Sequence, residues 1–165
     1  DKAGLVTFNE YFDTFVPASK QVGQMQTLLE NLYKQETTFG ETDFSALCGH
    51  LGKHVNKRSF LVLYTNFSNM TSLNRQLVYL QQLARQHRVL VVFFEDADLK
   101  EYIAGKSVTT EEYYRHVIAE KFAFEKRLIV STLKQHGIYS LLTTPDKLSI
   151  DVINKYLEMK SRQLL

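Results

Sequence analysis

The chain has 165 residues; 20 Lys+Arg against 18 Asp+Glu give a formal net charge of +2, and 44% of the residues are apolar. Such a composition suits an ordinary globular domain with a real core and excludes a disordered, collagen-like or disulfide-stapled chain. The longest apolar run, residues 89–94, is too short to cross a bilayer, and a charge of +2 makes no electrostatic case for nucleic acid.

Residues 3–8 read as a short β-branched and aromatic strand. After a turn at Asn9 and Glu10, residues 11–16 alternate as a second strand stopped by Pro17. Two strands this close pair antiparallel, and Pro17 suits an edge. Ser19 is placed to cap a helix running to about Lys34, with Val22, Met25, Leu28, Leu29 and Leu32 at helical spacing. Thr42 is placed to cap a second helix, whose face carries Phe44, Leu47, Cys48, Leu51 and Val55. Gly49 and Gly52 weaken that helix by about 1 kcal/mol each, so close backbone packing is their expected use. Cys48, the one cysteine, cannot form an intrachain disulfide; on this face it reads as core filler.

Residues 59–65 (SFLVLYT) form a nearly continuous apolar strand, as expected when both faces are covered. Residues 73–87 follow as a helix with Leu73, Leu77, Leu80 and Ala84 on one stripe, capped from Thr71 or Ser72. Residues 88–95 (RVLVVFFE) are the second buried strand, which makes a βαβ unit. A short helical turn over 99–103 precedes a long helix capped by Thr110, with Tyr114, Ile118, Phe122, Ile129 and Leu133 inward. Lys121, Lys126, Arg127 and Lys134 are assigned to its solvent face. Gly137 stops it, residues 138–142 are the last strand, and Pro145 opens a final helix with Ile153, Tyr156 and Leu157 as its apolar face. The order implies one α/β domain over 1–165, three-layered and Rossmann-like, with a mostly parallel sheet and an antiparallel edge strand.

Few motifs carry chemistry. His50 and His54, four apart on a helix, have zinc-ligand spacing, but Leu51-Gly52-Lys53 between them lacks the glutamate of a metalloprotease helix, and a solvated pair is expected. Glu95, Asp96 and Asp98 cluster after a buried strand, where capping and solvation account for them as well as acid–base chemistry does. Thr65 to Asn69 is a polar loop outside the end of the most apolar strand, where open α/β sheets bind ligands. The seven glycines assemble no dinucleotide or P-loop signature, and no nucleophile elbow is present.

Four segments taken together resemble a known family: DKxGLVTF (1–8), SFLVLYTN (59–66), LARQHRVLVV (83–92) and INKYLEMK (153–160). The chain is similar to the carboxyl half of the bacterial family called domain of unknown function 58, a von Willebrand factor A-like domain. That domain type often holds a divalent ion on an Asp-x-Ser-x-Ser loop after its first strand, a Thr from a second loop and an Asp after its fourth strand. The resemblance places Thr42 at the second-loop Thr and Asn66 at the last Asp; the first strand with its acidic loop falls before Asp1. The chain therefore reads as the carboxyl part of something longer, with no signal peptide at its start. Neutral oxygens alone do not hold Mg²⁺ against water, so no metal site is expected in this chain, and weak Mg²⁺ binding is confined to an intact parent.

The resemblance also places the missing strand at the sheet centre, between the strands of Leu5 and Leu61. Two bare edges would remain, and a homodimer through such an edge is expected. Members often carry membrane segments upstream and occur with MoxR-type ATPases. The implied function is non-enzymatic protein interaction in assembly or envelope maintenance, in the cytoplasmic soluble part of a membrane-associated bacterial protein, with no catalytic residue and no cofactor. Its working edge would comprise Thr42, Asp43, Thr65, Asn66 and Ser68. A second reading on the same scaffold is a small-ligand-binding or acid–base enzyme domain using Asp43, Glu95 and Asp96.

Overall fold

A computed structural model describes residues 1–10, 12–36, 42–67, 69–95, 97–105 and 109–165. The chain is mixed α/β and divides into two compact units, Asp1–Asn56 and Lys57–Leu165.

In the first unit, β1 (Ala3–Phe8) and β2 (Phe12–Ser19) form a two-stranded antiparallel sheet. β2 runs on through Pro17 and does not stop there, because the register shifts between Ala3 and Leu5 and the proline falls in that irregularity. Gly4 is required at the same place: a Cβ there would lie 2.8 Å from the Val16 carbonyl oxygen. Since Ser19 is spent in the strand, α1 (Gln24–Tyr33) starts after Gly23, whose φ of 90° is open to glycine at little cost. The Gln24 amide ties this helix to the hairpin by donating to the carbonyls of Ala3 and Pro17. The face expected to be buried is not: Met25, Leu29 and Leu32 are exposed.

α2 (Phe44–His54) buries Phe44, Leu47, Cys48 and Leu51, and Phe8 meets Phe44 edge-on with ring centres 5.4 Å apart. Burial, with the Asp43 carboxylate as a lesser cause, pushes the Cys48 thiol up to about 11, as befits a packing residue. Close backbone packing does not explain Gly49 or Gly52, since a methyl group added at either meets nothing within 4 Å.

The second unit holds β3 (Phe60–Tyr64), α3 (Met70–Gln86), β4 (Arg88–Phe94), α4 (Ala97–Ala104), α5 (Thr110–Gln135), β5 (Tyr139–Thr143) and α6 (Leu148–Ser161). Its three strands are parallel, in the order β3-β4-β5. β4 is central, and Val89 to Phe93 are all buried, which is why its sequence is an unbroken apolar run. α3, α5 and α6 contribute Leu73, Leu80, Leu83, Ile129, Leu133 and Met159 to the same core. α3 is capped by the Asn69 side chain, earlier than either hydroxyl residue expected, and Thr109 caps α5 in a reciprocal box with Glu112. Gly137 ends α5 at φ 71°, as read from the sequence. α6 begins only at Leu148; Pro145 precedes it, and Asp151 in its first turn accepts the Thr143 hydroxyl at 2.5 Å.

The expectation of one mostly parallel sheet with an antiparallel edge is corrected: the antiparallel pair is a sheet by itself. Among the described residues β1 pairs only with β2 and β3 only with β4, so each keeps an unpaired edge. The order β3-β4-β5 does not reverse, so this sheet contains no switch point of the doubly wound kind.

Two predictions follow from the packing of these units. With open space at their Cβ positions, Gly49→Ala and Gly52→Ala are each expected to raise stability by about 0.5–1 kcal/mol in urea unfolding; a loss of stability would show that the glycine backbone is needed. His50 and His87 are both held below the ordinary imidazole value of 6.5, chiefly by burial, with His54 and Lys53 adding repulsion at the first and Arg58 at the second. The unfolded chain therefore protonates first as the pH falls. Their contribution is complete above about pH 6.5 and declines as the pH drops through that value toward the depressed ones. The urea midpoint is expected to fall between about pH 7.5 and pH 5, and His87→Gln to flatten part of that slope; a flat or rising midpoint would contradict the burial of neutral imidazoles.

Candidate functional site

The carboxyl ends of the parallel strands gather the polar groups of the second unit. Thr65 follows β3 and donates its N–H to the Val92 carbonyl, and Glu95 follows β4 and donates to Thr143. Asn66 is exposed and Phe67 buried just after them.

Lys126 of α5 reaches this end. Its ammonium donates to the side-chain oxygen of Asn66 and, at 3.0 Å, to the backbone carbonyl of Phe67. The same nitrogen lies 5.6 Å from the centre of the Phe93 ring. The adjacent Glu125 carboxylate accepts the Met70 N–H at 3.3 Å, so two neighbouring side chains of α5 tie down the loop that joins β3 to α3. Both described acceptors of Lys126 are neutral. Burial drives the ammonium below the usual lysine range, and neither acceptor supplies a compensating negative charge.

Beside this lysine lies a cavity of about 550 Å³. Its apolar wall is Leu99 and Ile103 from α4, Ala123 and Phe124 from α5, and Leu142 from β5. Its charged lining is Lys126, Arg127, Glu95 and Glu120, the last with its carboxylate 3.4 Å from the His116 imidazole. The cavity exists because α4 folds back on α5: the Tyr102 hydroxyl donates to the Glu112 carbonyl, and its ring faces His116 at 6.4 Å. That docking consumes the side of α5 carrying His116, Ala119 and Ala123. It leaves Tyr114, Ile118 and Phe122, expected inward, 66%, 54% and 51% exposed.

The residues read as a working edge divide between the units. Thr42, half-buried, and Asp43 belong to the first; Thr65 and Asn66 belong to the second; Ser68 lies outside the described residues. Asp43, not Thr42, caps α2: its carboxylate accepts the N–H groups of Ser45 and Ala46 at 2.7 and 3.3 Å, while its own N–H donates to Asn9. Of the acid–base set, Asp43 is thus in the first unit and committed to a cap, Glu95 is in the second, and Asp96 lies outside the described residues.

Of the two histidines expected to be a solvated pair, His54 is exposed and His50 is half-buried. They stack at 4.0 Å between ring centres, and His50 stacks on Phe12 at 3.5 Å. Among the described residues no group of three or more His, Cys, Asp or Glu is placed to share an ion, and no helix is long and apolar enough to cross a membrane.

Lys126 and the cavity were missed by hydrophobic periodicity, which put the lysine on the solvent face. One signal was available: Lys126 stands seven residues from both Ala119 and Leu133, on the stripe those buried residues define. Lysine at an inward position of a long helix marks a charge with work to do. No protein-family model, curated protein or solved structure matches the chain.

Proposed function

We propose that this chain is a von Willebrand factor A-like protein-interaction domain, non-enzymatic, of the kind found in the domain of unknown function 58 family, and that its degenerate ion site needs no metal. The observation that carries this reading is the bond from the Lys126 ammonium to Asn66. In the resemblance Asn66 takes the place of the last acidic ligand of an adhesion site. Here its oxygen, together with the Phe67 carbonyl, is satisfied by a cation built into the chain. A divalent ion at the same oxygens would meet no carboxylate from this position and a nearby ammonium of its own sign, which is the opposite of what Mg²⁺ requires.

The edges of β1 and β3 that are unpaired among the described residues, each within its own unit, support the accompanying view that a bare edge pairs with a second copy of the chain. On this reading the domain is the cytoplasmic, soluble part of a membrane-associated bacterial protein. It works with a MoxR-type ATPase in assembly or envelope maintenance, through the strand-end surface of the second unit that carries Thr65 and Asn66.

Calorimetric titration with Mg²⁺ and Mn²⁺ tests the ion-free site. No binding is expected for the native chain, whereas Lys126→Met with Asn66→Asp, which restores a carboxylate and removes the ammonium, is expected to gain measurable affinity. Micromolar binding of either ion by the native chain would overturn the reading.

A further inference from the structure

The cavity beside Lys126 has the size and lining of a small-molecule site: about 550 Å³, mostly apolar walls and a few converging charged groups. An ammonium has three N–H donors, and among the described residues two of them are used, on the Asn66 side chain and the Phe67 carbonyl. One donor remains on a half-buried cation whose described acceptors carry no charge. Such a group gains most from an anion that brings its own negative charge into the desolvated site. Arg127, also lining the cavity, adds a second cation whose fork fits a carboxylate. Two carboxylates line the same space, and neither stands alone: Glu120 has the His116 imidazole beside it, and Glu95 has a partner of its own. The remaining wall is hydrocarbon, and Phe124 stays 58% exposed there although it is large and apolar.

We propose that this cavity binds a carboxylate carried on an apolar chain, with the head on Lys126 and Arg127 and the chain along Leu99, Ile103, Phe124 and Leu142. Two sources share this chemistry: a free amphiphilic acid, and the terminal carboxylate of a peptide ending in apolar residues. The inference rests on the cavity and the spare donor of Lys126 and not on the interaction-domain reading, so failure of the family assignment would leave it standing.

Titration of the 165-residue chain with octanoate, octanamide, octylamine and an N-acetylated peptide ending in Leu-Leu separates the possibilities. Octanoate or the peptide is expected to bind at least tenfold more tightly than octanamide or octylamine; whichever of the two is tighter identifies the source. Lys126→Met is expected to abolish the preference for octanoate over octanamide. Because that variant also removes the donor to Asn66 and Phe67, Leu142→Trp, which fills the apolar wall while keeping the ammonium, is a second check and is expected to weaken octanoate at least tenfold. In the native chain, octanoate is expected to shift the backbone amide resonances of residues 99–103 and 123–127. The proposal is overturned if octylamine binds as well as octanoate, if neither carboxylate binds, or if those resonances stay in place.

Discussion

A half-buried positive charge whose hydrogen bonds go to neutral oxygens is the constraint around which the carboxyl end of the parallel sheet is arranged. Lys126 joins α5 to the loop after β3, and Glu125 beside it fastens the start of α3. The desolvation of the ammonium is costly unless hydrogen bonds or an anion offset it. Its two described acceptors offset part of that cost by dipole alone. The ring of Phe93, buried in the central strand, lies close enough to contribute as well. The rest of the site follows from this placement. The loop after β3 is held through the Asn66 side chain and the Phe67 carbonyl, and the cavity opens beside a cation with donor capacity to spare.

The scaffold that fixes the lysine is rigid for ordinary reasons. β4 is buried from Val89 to Phe93, paired on both sides and covered by helices, so the strand ends that carry Thr65 and Glu95 have little freedom. The Thr143 hydroxyl bonded to Asp151 locks α6 to the end of β5. The docking of α4 on α5 through Tyr102, Glu112 and His116 then forms the far wall of the cavity. In the first unit the comparable device is aromatic: His50 between Phe12 and His54, with Phe8 against Phe44. Stacking of this kind orients rings that a solvated helix face would leave free.

Much of this was legible in the residue pattern. The runs around Leu61 and Val91 announced buried parallel strands, since a continuous apolar stretch fits only a sheet covered on both faces. Gly137 marked the end of α5 by the left-handed backbone it adopts. Other signals misled for local reasons. Pro17 looked like a stop, yet a bulge lets a proline lie within an edge strand. The single sheet expected from element order became two, because that order says which strands exist and not whether a pairing partner sits between them. On α5, large apolar residues set the expected phase, but the buried stripe is that of Ala119, Ile129 and Leu133, which leaves Lys126 half-buried and Tyr114, Ile118 and Phe122 exposed. The cavity assembles residues from α4, α5 and β5 with Glu95 just after β4, a juxtaposition that spacing along the chain does not encode.

The most direct measurement is the titration of the Lys126 side chain itself, followed by NMR at its Cε carbon in the native chain and in Asn66→Asp. An ammonium desolvated among neutral oxygens titrates below the ordinary lysine value of 10.5, and a carboxylate at position 66 raises it. A native value at or above 10.5, unmoved by that substitution, would mean that Lys126 stands in water and organises nothing.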